Sequence, residues 1–173
     1  MGTALQARPG EWAIVPDAAQ VGFRGRASRF SPVVQARFGQ VSGCVRLAER
    51  DSQVAVDVDL ASMTTGNAAW DELLQALDPF DVRRHPVGAY RSDAVRVDDS
   101  RAEVEGTLEL CGRRSRVRLS GTHRVLDDAR ARLTATGSVD RRAFGLRLDV
   151  PGCRFLLPAQ LELQVDVVVA RRV

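Results

Sequence analysis

The side chains that most often bind metals or act as catalytic bases are scarce in this chain of 173 residues. Its histidines are His85 and His123, and its cysteines are Cys44, Cys111 and Cys153. No cysteines have Cys-x-x-Cys spacing and no histidine lies near a cysteine in sequence, so no zinc motif is recognised. The odd number and wide spacing of the cysteines also argue against structural disulfides. We therefore expect neither a metal nor a cofactor.

His123 is the histidine whose position suggests a role. In the segment 116–126, RVRLSGTHRVL, it alternates with apolar residues and so faces the same side as they do. An inward imidazole could hydrogen-bond the polar head of a ligand, or it could be satisfied by a neighbouring backbone or hydroxyl group. Catalysis would also need a nucleophile or an orienting acid beside it. The sequence places neither, and we do not expect an enzyme.

The composition is that of one soluble globular domain. Apolar residues make up 45% of the chain and charged residues 27%, and the formal net charge is +3. All basic residues are arginines that are interleaved with acids, so a nucleic-acid partner is not expected. The densest run, Arg113–Arg116, is interpreted as a solvated hairpin tip. No apolar stretch has the roughly 20 residues of a transmembrane segment.

The beginning of the chain differs from the rest. Residues 1–10, MGTALQARPG, have no apolar core of the length that a signal peptide needs, and we expect them to form a disordered extension. Residues 11–173 then form a single domain. Because neither an export signal nor a membrane span is recognised, the expected location is the cytoplasm.

Alternation of apolar and polar residues is the dominant pattern, and it predicts half-buried β-strands. In the clearest run, 53–60, the residues Val54, Val56, Val58 and Leu60 share one face. Gly39 is expected to kink a long strand. Regular alternation predicts further strands at 101–110, 116–126, 132–139 and 160–169, and less regular segments at 12–15, 20–26, 34–48, 86–92 and 94–97.

One segment has helical periodicity instead. Asn67 is a favourable N-cap, and Trp70, Leu73, Leu74 and Leu77 form an apolar stripe at helical spacing. The sequence therefore predicts a helix of about three turns over 67–77.

Long strands that are apolar on one side favour a sheet that closes on itself. We predict a mainly β fold, an eight-stranded antiparallel lipocalin-like β-barrel with one short α-helix after the third strand. A barrel of this size is filled by its own side chains or holds one small ligand. Small inward residues could relieve curvature, but several together favour a cavity. They are Ala36, Gly43, Gly106, Gly121, Ala135 and Gly137.

A series of short motifs runs through the chain from about Trp12 to Val169. The motifs are Val21-Gly22-Phe23, residues 33–43, Ser62–Asn67, Asp71–Leu74, Asp78–Asp81 with His85-Pro86, Gly106-Thr107-Leu108 with Gly112, and Arg142–Leu146. In their order and spacing they resemble those of the polyisoprenoid-binding YceI-like proteins.

This resemblance implies an extended eight-stranded barrel, often dimeric, that binds a long isoprenoid along its axis, such as a quinone tail or a polyprenyl chain. At the helix, the family's arginine, histidine and following basic residue are replaced by Trp70, Leu73 and Gln75. The mouth of this barrel is therefore more apolar. An apolar small molecule is the implied partner and a homodimer the implied assembly, while the preferred headgroup stays open.

The candidate ligand site combines inward apolar residues with the helical cover, although each residue alone is also compatible with ordinary core packing. Asp71 and Arg142, which match family motifs, are expected to be structural and to pair with each other. The predicted ligand-binding residues are Val21, Phe23, Phe38, Val56, Val58, Trp70, Leu74, Phe80, Leu108, Leu119, His123, Phe144, Leu163 and Val165.

Three functions are compatible with these observations. The first is the binding, storage or transport of a long apolar ligand. The second is an interaction or stress protein whose barrel is filled by its own side chains and which acts through an outer face or as a dimer. The third, the weakest, is an enzyme on a lipid-like substrate that uses His123. Continuous free volume behind the small inward residues would distinguish the first function from the second.

Overall fold

The sheet of this protein closes into a barrel. A computed structural model describes residues 8–146 and 158–172, and the strands in these ranges form one antiparallel sheet. The first strand pairs with the last, and this pairing closes the barrel. The strands are β1 (Gly10–Gly25), β2 (Val34–Phe38), β3 (Val41–Leu47), β4 (Gln53–Asp59), β5 (Met63–Thr64), β6 (Val87–Asp98), β7 (Arg101–Leu110), β8 (Arg113–Val125), β9 (Arg130–Asp140) and β10 (Gln160–Arg171).

Eight strand positions make up the barrel wall. The strands β2 and β3 pair with successive parts of β1, through Val21 opposite Phe38 and Trp12 opposite Val45. They therefore occupy one position, interrupted at Gly39, while β5 only extends the edge of β2. The predicted eight-stranded barrel is confirmed, whereas the predicted long strand over 34–48 is two strands, divided at Gly39 and Gln40, where a bulge or a kink was expected.

Helix α1 (Ala68–Leu77) follows β4, which occupies the third strand position. The Asn67 side chain accepts a hydrogen bond from the amide of Trp70 at 3.2 Å, which satisfies one of the unpaired N–H groups of the first turn. The helix ends at Asp78, whose left-handed backbone has a φ of 41°. The predicted helix is thus confirmed. Two 3-10 helices, Leu60–Ser62 and Arg141–Phe144, also lie in the described residues.

Two strands are longer than the sequence pattern indicated. The predicted segments 12–15 and 20–26 are one strand, β1, whose pairing with β10 shifts register between Ile14 and Ala19. Likewise, 86–92 and 94–97 are one strand, β6, with an irregularity between Ser92 and Ala94. Three extra residues in β1 and one in β6 interrupt the alternation of side chains without ending the strand. The alternation of apolar and polar residues is therefore interrupted at these points, although each strand continues through them.

The run Arg113–Arg116 is not the hairpin tip that the sequence suggested. It is the beginning of β8, and the turn before it consists of Cys111 and Gly112, whose φ angles are 53° and 71°. A two-residue turn with two positive φ angles matches the twist of the flanking strands, so the strands continue right up to it.

The inward glycines do not enclose free volume, contrary to our expectation. A Cβ on Gly121 would lie 2.6 Å from the Cα of Ala135, and a Cβ on Gly106 would lie 2.9 Å from the Cα of Ser92. Neighbouring strands approach too closely for a side chain at these positions. The glycines therefore allow the wall to bend, which was the alternative interpretation.

Some expectations concern residues outside the described ranges, namely residues 1–7 of the predicted extension and Cys153. Gly10, by contrast, already pairs with Leu47 in the wall. Cys44 and Cys111 both carry free thiols. Within residues 8–146 and 158–172, no helix is long and apolar enough to cross a membrane.

Candidate ligand-binding site

The barrel encloses an apolar cavity of about 130 Å³, here called the interior cavity. Alternate residues of every strand point inward, so side chains from many parts of the wall meet there. An apolar cavity of similar size, about 150 Å³, stays dry and accepts a small hydrocarbon. The predicted site residues that line the interior cavity are Val21, Phe23, Phe38, Val56, Val58, Leu108, Leu119, Leu163 and Val165.

A larger groove of about 410 Å³, here called the helix groove, lies between α1 and the adjacent parts of β1 and β2. Trp70 and Leu74 line it from the helix, Phe80 from the segment after the helix, and Phe23 from β1. No residue of α1 is buried, and Trp70 is 39% exposed. The apolar stripe of the helix is therefore only partly covered by the residues that the structure describes.

Three phenylalanines lie between the interior cavity and the helix groove. The ring centroids of Phe23 and Phe38 are 5.9 Å apart, and those of Phe38 and Phe80 are 5.8 Å apart, both with edge-to-face geometry. Phe23 lines both spaces, whereas Phe38 lines only the cavity and Phe80 only the groove. Movement of these rings would join the two spaces into one apolar channel.

His123 and Phe144 lie apart from the other predicted site residues. His123 lines a second apolar cavity of about 80 Å³ at the opposite end of the barrel, here called the distal cavity. Trp12 and Leu133 also line this cavity. Phe144 is 1% exposed and lines neither the interior cavity nor the helix groove, so the structure places it in the core.

Asp71 ties the helical cover to the segment before it. Its carboxylate accepts hydrogen bonds from the Thr64 hydroxyl at 2.8 Å, from the Thr65 amide at 2.7 Å and from the Thr65 hydroxyl at 2.6 Å. The bonds from Thr65 and then Thr64 hold the pKa of Asp71 below its usual range. The predicted pair of Asp71 and Arg142 is wrong, because Arg142 instead binds Asp140 at 2.8 Å. The carboxylate of Asp71 instead accepts hydrogen bonds from Thr64 and Thr65, which lie close to it in sequence.

We expect Asp71→Ala to loosen the attachment of α1, so that the amides of 68–77 exchange with solvent faster than in the wild type. Because the pKa of Asp71 is lowered in the folded protein, its contribution is present above the ordinary aspartate pKa. That contribution is lost as the pH falls through the lowered value. Asp140→Ala, which removes a carboxylate bound to Arg142, is the matched control. Equal exchange of α1 in both variants would show that Asp71 does not hold the helix.

Tyr90 is the sole tyrosine of the chain, and it lines the interior cavity. Its hydroxyl donates a hydrogen bond to the carbonyl oxygen of Val117 at 3.1 Å. Burial, followed by the negative charge of Asp93, raises the pKa of Tyr90 to about 12. The polar end of this ring is thus satisfied by the barrel wall, which leaves its apolar body toward the cavity.

The tyrosinate absorbance of the folded protein should therefore rise with a midpoint near pH 12. In urea the midpoint should fall to about 10, the value of an unperturbed tyrosine. Since the pKa is raised on folding, this group leaves stability unchanged below about pH 10 and lowers it between the two values. Tyr90→Phe should abolish the signal, and a native midpoint near 10 would contradict the burial of the hydroxyl.

Sequence reasoning missed several residues that line these spaces. Trp12 lies two residues before Ile14 and so faces the same side of the strand. This spacing could have identified Trp12 as an inward residue. Tyr90 lies in an alternating segment, but the irregularity that follows it in β6 obscured the face. Pro32 and Val33 line the helix groove from irregular chain, where no periodicity indicates orientation.

A closed antiparallel barrel of eight strand positions, with an apolar interior and a short helix after the third position, defines the lipocalin-like class. Within that class the family can be stated. The family model of the YceI-like domain matches residues 12–169, and the chain belongs to this family. The predicted resemblance is therefore confirmed.

Solved structures share the fold at low sequence identity. Burkholderia cenocepacia BcnA superimposes with a TM-score of 0.76 at 16% identity, covering 90% of this chain and 98% of BcnA. A polyisoprenoid-binding domain from Saccharophagus degradans has a TM-score of 0.73 at 14% identity, with 93% and 98% covered. A YceI protein from Campylobacter jejuni has a TM-score of 0.70 at 17% identity, with 84% and 89% covered. Curated proteins yield no match.

Proposed function

We propose that this protein binds a long apolar ligand, such as an isoprenoid, a quinone with a prenyl tail or a similar lipid. The observation that carries the proposal is the helix groove, where Trp70 and Leu74 present an apolar surface that the described chain only partly covers. Membership of the YceI-like family supports it, as does the polyisoprenoid-binding domain with the same fold. Storage or transport of the ligand is part of the proposal.

The cavity volumes indicate how such a ligand would be accommodated. The interior cavity, about 130 Å³, is suited to a small hydrocarbon fragment rather than to a whole polyprenyl chain. The helix groove, about 410 Å³, offers the larger space. A long ligand would therefore occupy the groove first and would enter the barrel only when Phe23, Phe38 and Phe80 move. Each methylene buried in the groove would contribute roughly 0.8 kcal/mol, from which the cost of ordering the ligand is subtracted.

The first experiment is to measure the mass of the intact purified protein under native conditions and to identify the extracted lipids by mass spectrometry. We expect a stoichiometric adduct with the mass of an isoprenoid or a prenylated quinone. If no lipid is bound, added prenyl quinone should still associate. Absence of both would contradict the proposal.

The two tryptophans allow occupancy of the groove to be located, since Trp70 lines the helix groove and Trp12 the distal cavity. A quinone that carries three isoprene units should quench the fluorescence of Trp70 in a Trp12→Phe variant. In a Trp70→Phe variant, with binding retained in mass spectra, any remaining quenching would come from Trp12 and would report ligand that reaches the distal cavity. Binding without any change at Trp70 would place the ligand elsewhere.

The alternative function is that of an interaction protein with a filled barrel, and two observations favour it. The inward glycines serve curvature, and the interior cavity is small. This alternative predicts neither an adduct nor uptake of added quinone. A homodimeric state and a cytoplasmic location remain parts of the proposal, to be tested by light scattering and by cell fractionation.

A further inference from the structure

The distal cavity contains a polar atom that the described protein leaves unsatisfied. His123 is 8% exposed, and its Nε2 atom is sealed from solvent with no hydrogen-bond partner among residues 8–146 and 158–172. Burial of such a nitrogen is unfavourable unless a partner is supplied. The imidazole lines the distal cavity together with Trp12, Val125 and Leu133.

The distal cavity adjoins the interior cavity. Val54, Ala102, Val104 and Leu133 line both, so the two spaces are separated only by shared side chains. A chain that fills the interior cavity and displaces these shared side chains would therefore reach the imidazole of His123. The barrel thus has the helix groove at one end and a hydrogen-bonding group at the other.

The surroundings of His123 restrict the chemistry of a partner. A lone water needs two to four polar partners, and this apolar cavity offers it little beyond the imidazole. Arg8, Asp127 and Asp128 also line the distal cavity. One positive and two negative side chains are therefore present, and this balance of charge does not favour an anion. A phosphate or carboxylate would also be costly to desolvate. A hydroxyl or carbonyl oxygen requires only one hydrogen bond.

We propose that His123 binds the oxygen of a neutral chain that ends in a hydroxyl or carbonyl group, so that the ligand lies with this end in the distal cavity. The inference rests on the proposed ligand-binding function and specifies the ligand's polar end and its direction. It also explains how the unpartnered Nε2 of His123 is tolerated beside the apolar distal cavity. The oxygen of the bound ligand satisfies the nitrogen that the barrel itself does not.

The test compares farnesol, farnesyl phosphate and deoxyfarnesol, the hydrocarbon that keeps the three double bonds of farnesol and has hydrogen in place of its hydroxyl group, as ligands of the full chain. The wild type should bind farnesol about tenfold more tightly than deoxyfarnesol, which corresponds to one hydrogen bond. His123→Leu should bind the two equally. His85→Gln, which changes the other histidine, should retain the preference. Farnesyl phosphate should bind more weakly than farnesol.

Nitrogen NMR of the wild-type imidazoles provides a second measurement that does not depend on a variant. Farnesol should shift the Nε2 signal of His123 and leave that of His85 in place, whereas deoxyfarnesol should shift neither by hydrogen bonding. His123→Leu should also raise the urea midpoint of the ligand-free protein, because an unsatisfied polar group is removed.

The outcomes separate the two proposals. Equal affinity for farnesol and deoxyfarnesol in the wild type would overturn the role of His123 and leave the apolar site standing. A farnesol preference that survives in His123→Leu would do the same. Tighter binding of farnesyl phosphate would overturn the assignment of a neutral oxygen. If none of the three probes binds, the ligand-binding function fails, and the role of His123 with it.

Discussion

Gly121→Ala is expected to lower the free energy of unfolding by about 3 kcal/mol. The added Cβ would lie 2.6 Å from the Cα of Ala135 and closer still to the carbonyl oxygen of Thr134. Both atoms belong to the backbone of β9, which pairs with β8 at this point and cannot turn aside as a flexible side chain would. The strands must separate, and hydrogen bonds of the ladder are lost with the separation.

Urea unfolding followed by circular dichroism measures this effect, with Gly39→Ala as the control. Gly39 lies at the interruption between β2 and β3, and a Cβ there would meet no atom within 4 Å. We expect the control to change stability by no more than about 0.5 kcal/mol. Similar stability of the two variants would show that the close approach of β8 and β9 does not limit the residue at 121.

Most of the fold was predicted from the alternation of apolar and polar residues along the strands. It identified β4, β7 and β10 because each has one face toward the core and one toward solvent, which is a property of the residues themselves. Closure followed from the number of such strands. The irregularities in β1 and β6 were not predictable in the same way, since a register shift is decided by the partner strand.

Glycines show a second limit of sequence reasoning. An inward glycine is consistent with empty space and with a close approach of backbone, and the residue type does not distinguish them. At Gly106 and Gly121 the neighbouring strand occupies the space. The free volume instead lies between large side chains such as Phe23 and Phe38, whose packing depends on how the strands curve.

The candidate site was predicted as one set, but the structure divides it along the barrel. The odd or even position of a residue along a strand indicates whether its side chain faces inward. It does not indicate which end of the barrel the residue occupies. His123 and Trp70 were therefore grouped, although they lie by different cavities at opposite ends. Position along the axis depends on strand tilt and stagger, which are properties of the closed sheet.

Phe38→Ala should lower the free energy of unfolding by about 3 to 5 kcal/mol, as large truncations of buried aromatic residues do. Phe38 is 1% exposed and contacts both Phe23 and Phe80 edge to face. Removing its ring would create a space between the interior cavity and the helix groove. Chemical denaturation of the ligand-free protein measures the loss.

Phe144→Ala is the matched control, since Phe144 is equally buried but lines neither the interior cavity nor the helix groove. Its truncation should cost a similar amount of stability. The two variants should differ in their response to a quinone with three isoprene units. In Phe38→Ala the ligand can fill the vacated volume and continue into the barrel, so affinity should rise above that of the wild type.

Tighter binding would also appear as stabilisation, because a ligand that binds only the folded state raises its stability in proportion to the logarithm of one plus the ratio of free ligand concentration to Kd. The quinone should therefore restore much of the stability lost in Phe38→Ala and little of that lost in Phe144→Ala. If both variants lose affinity to the same extent, Phe38 is a core residue that does not block the entry of the ligand into the barrel. If only Phe38→Ala gains affinity, the phenylalanines are the barrier that a long ligand must displace to enter the barrel.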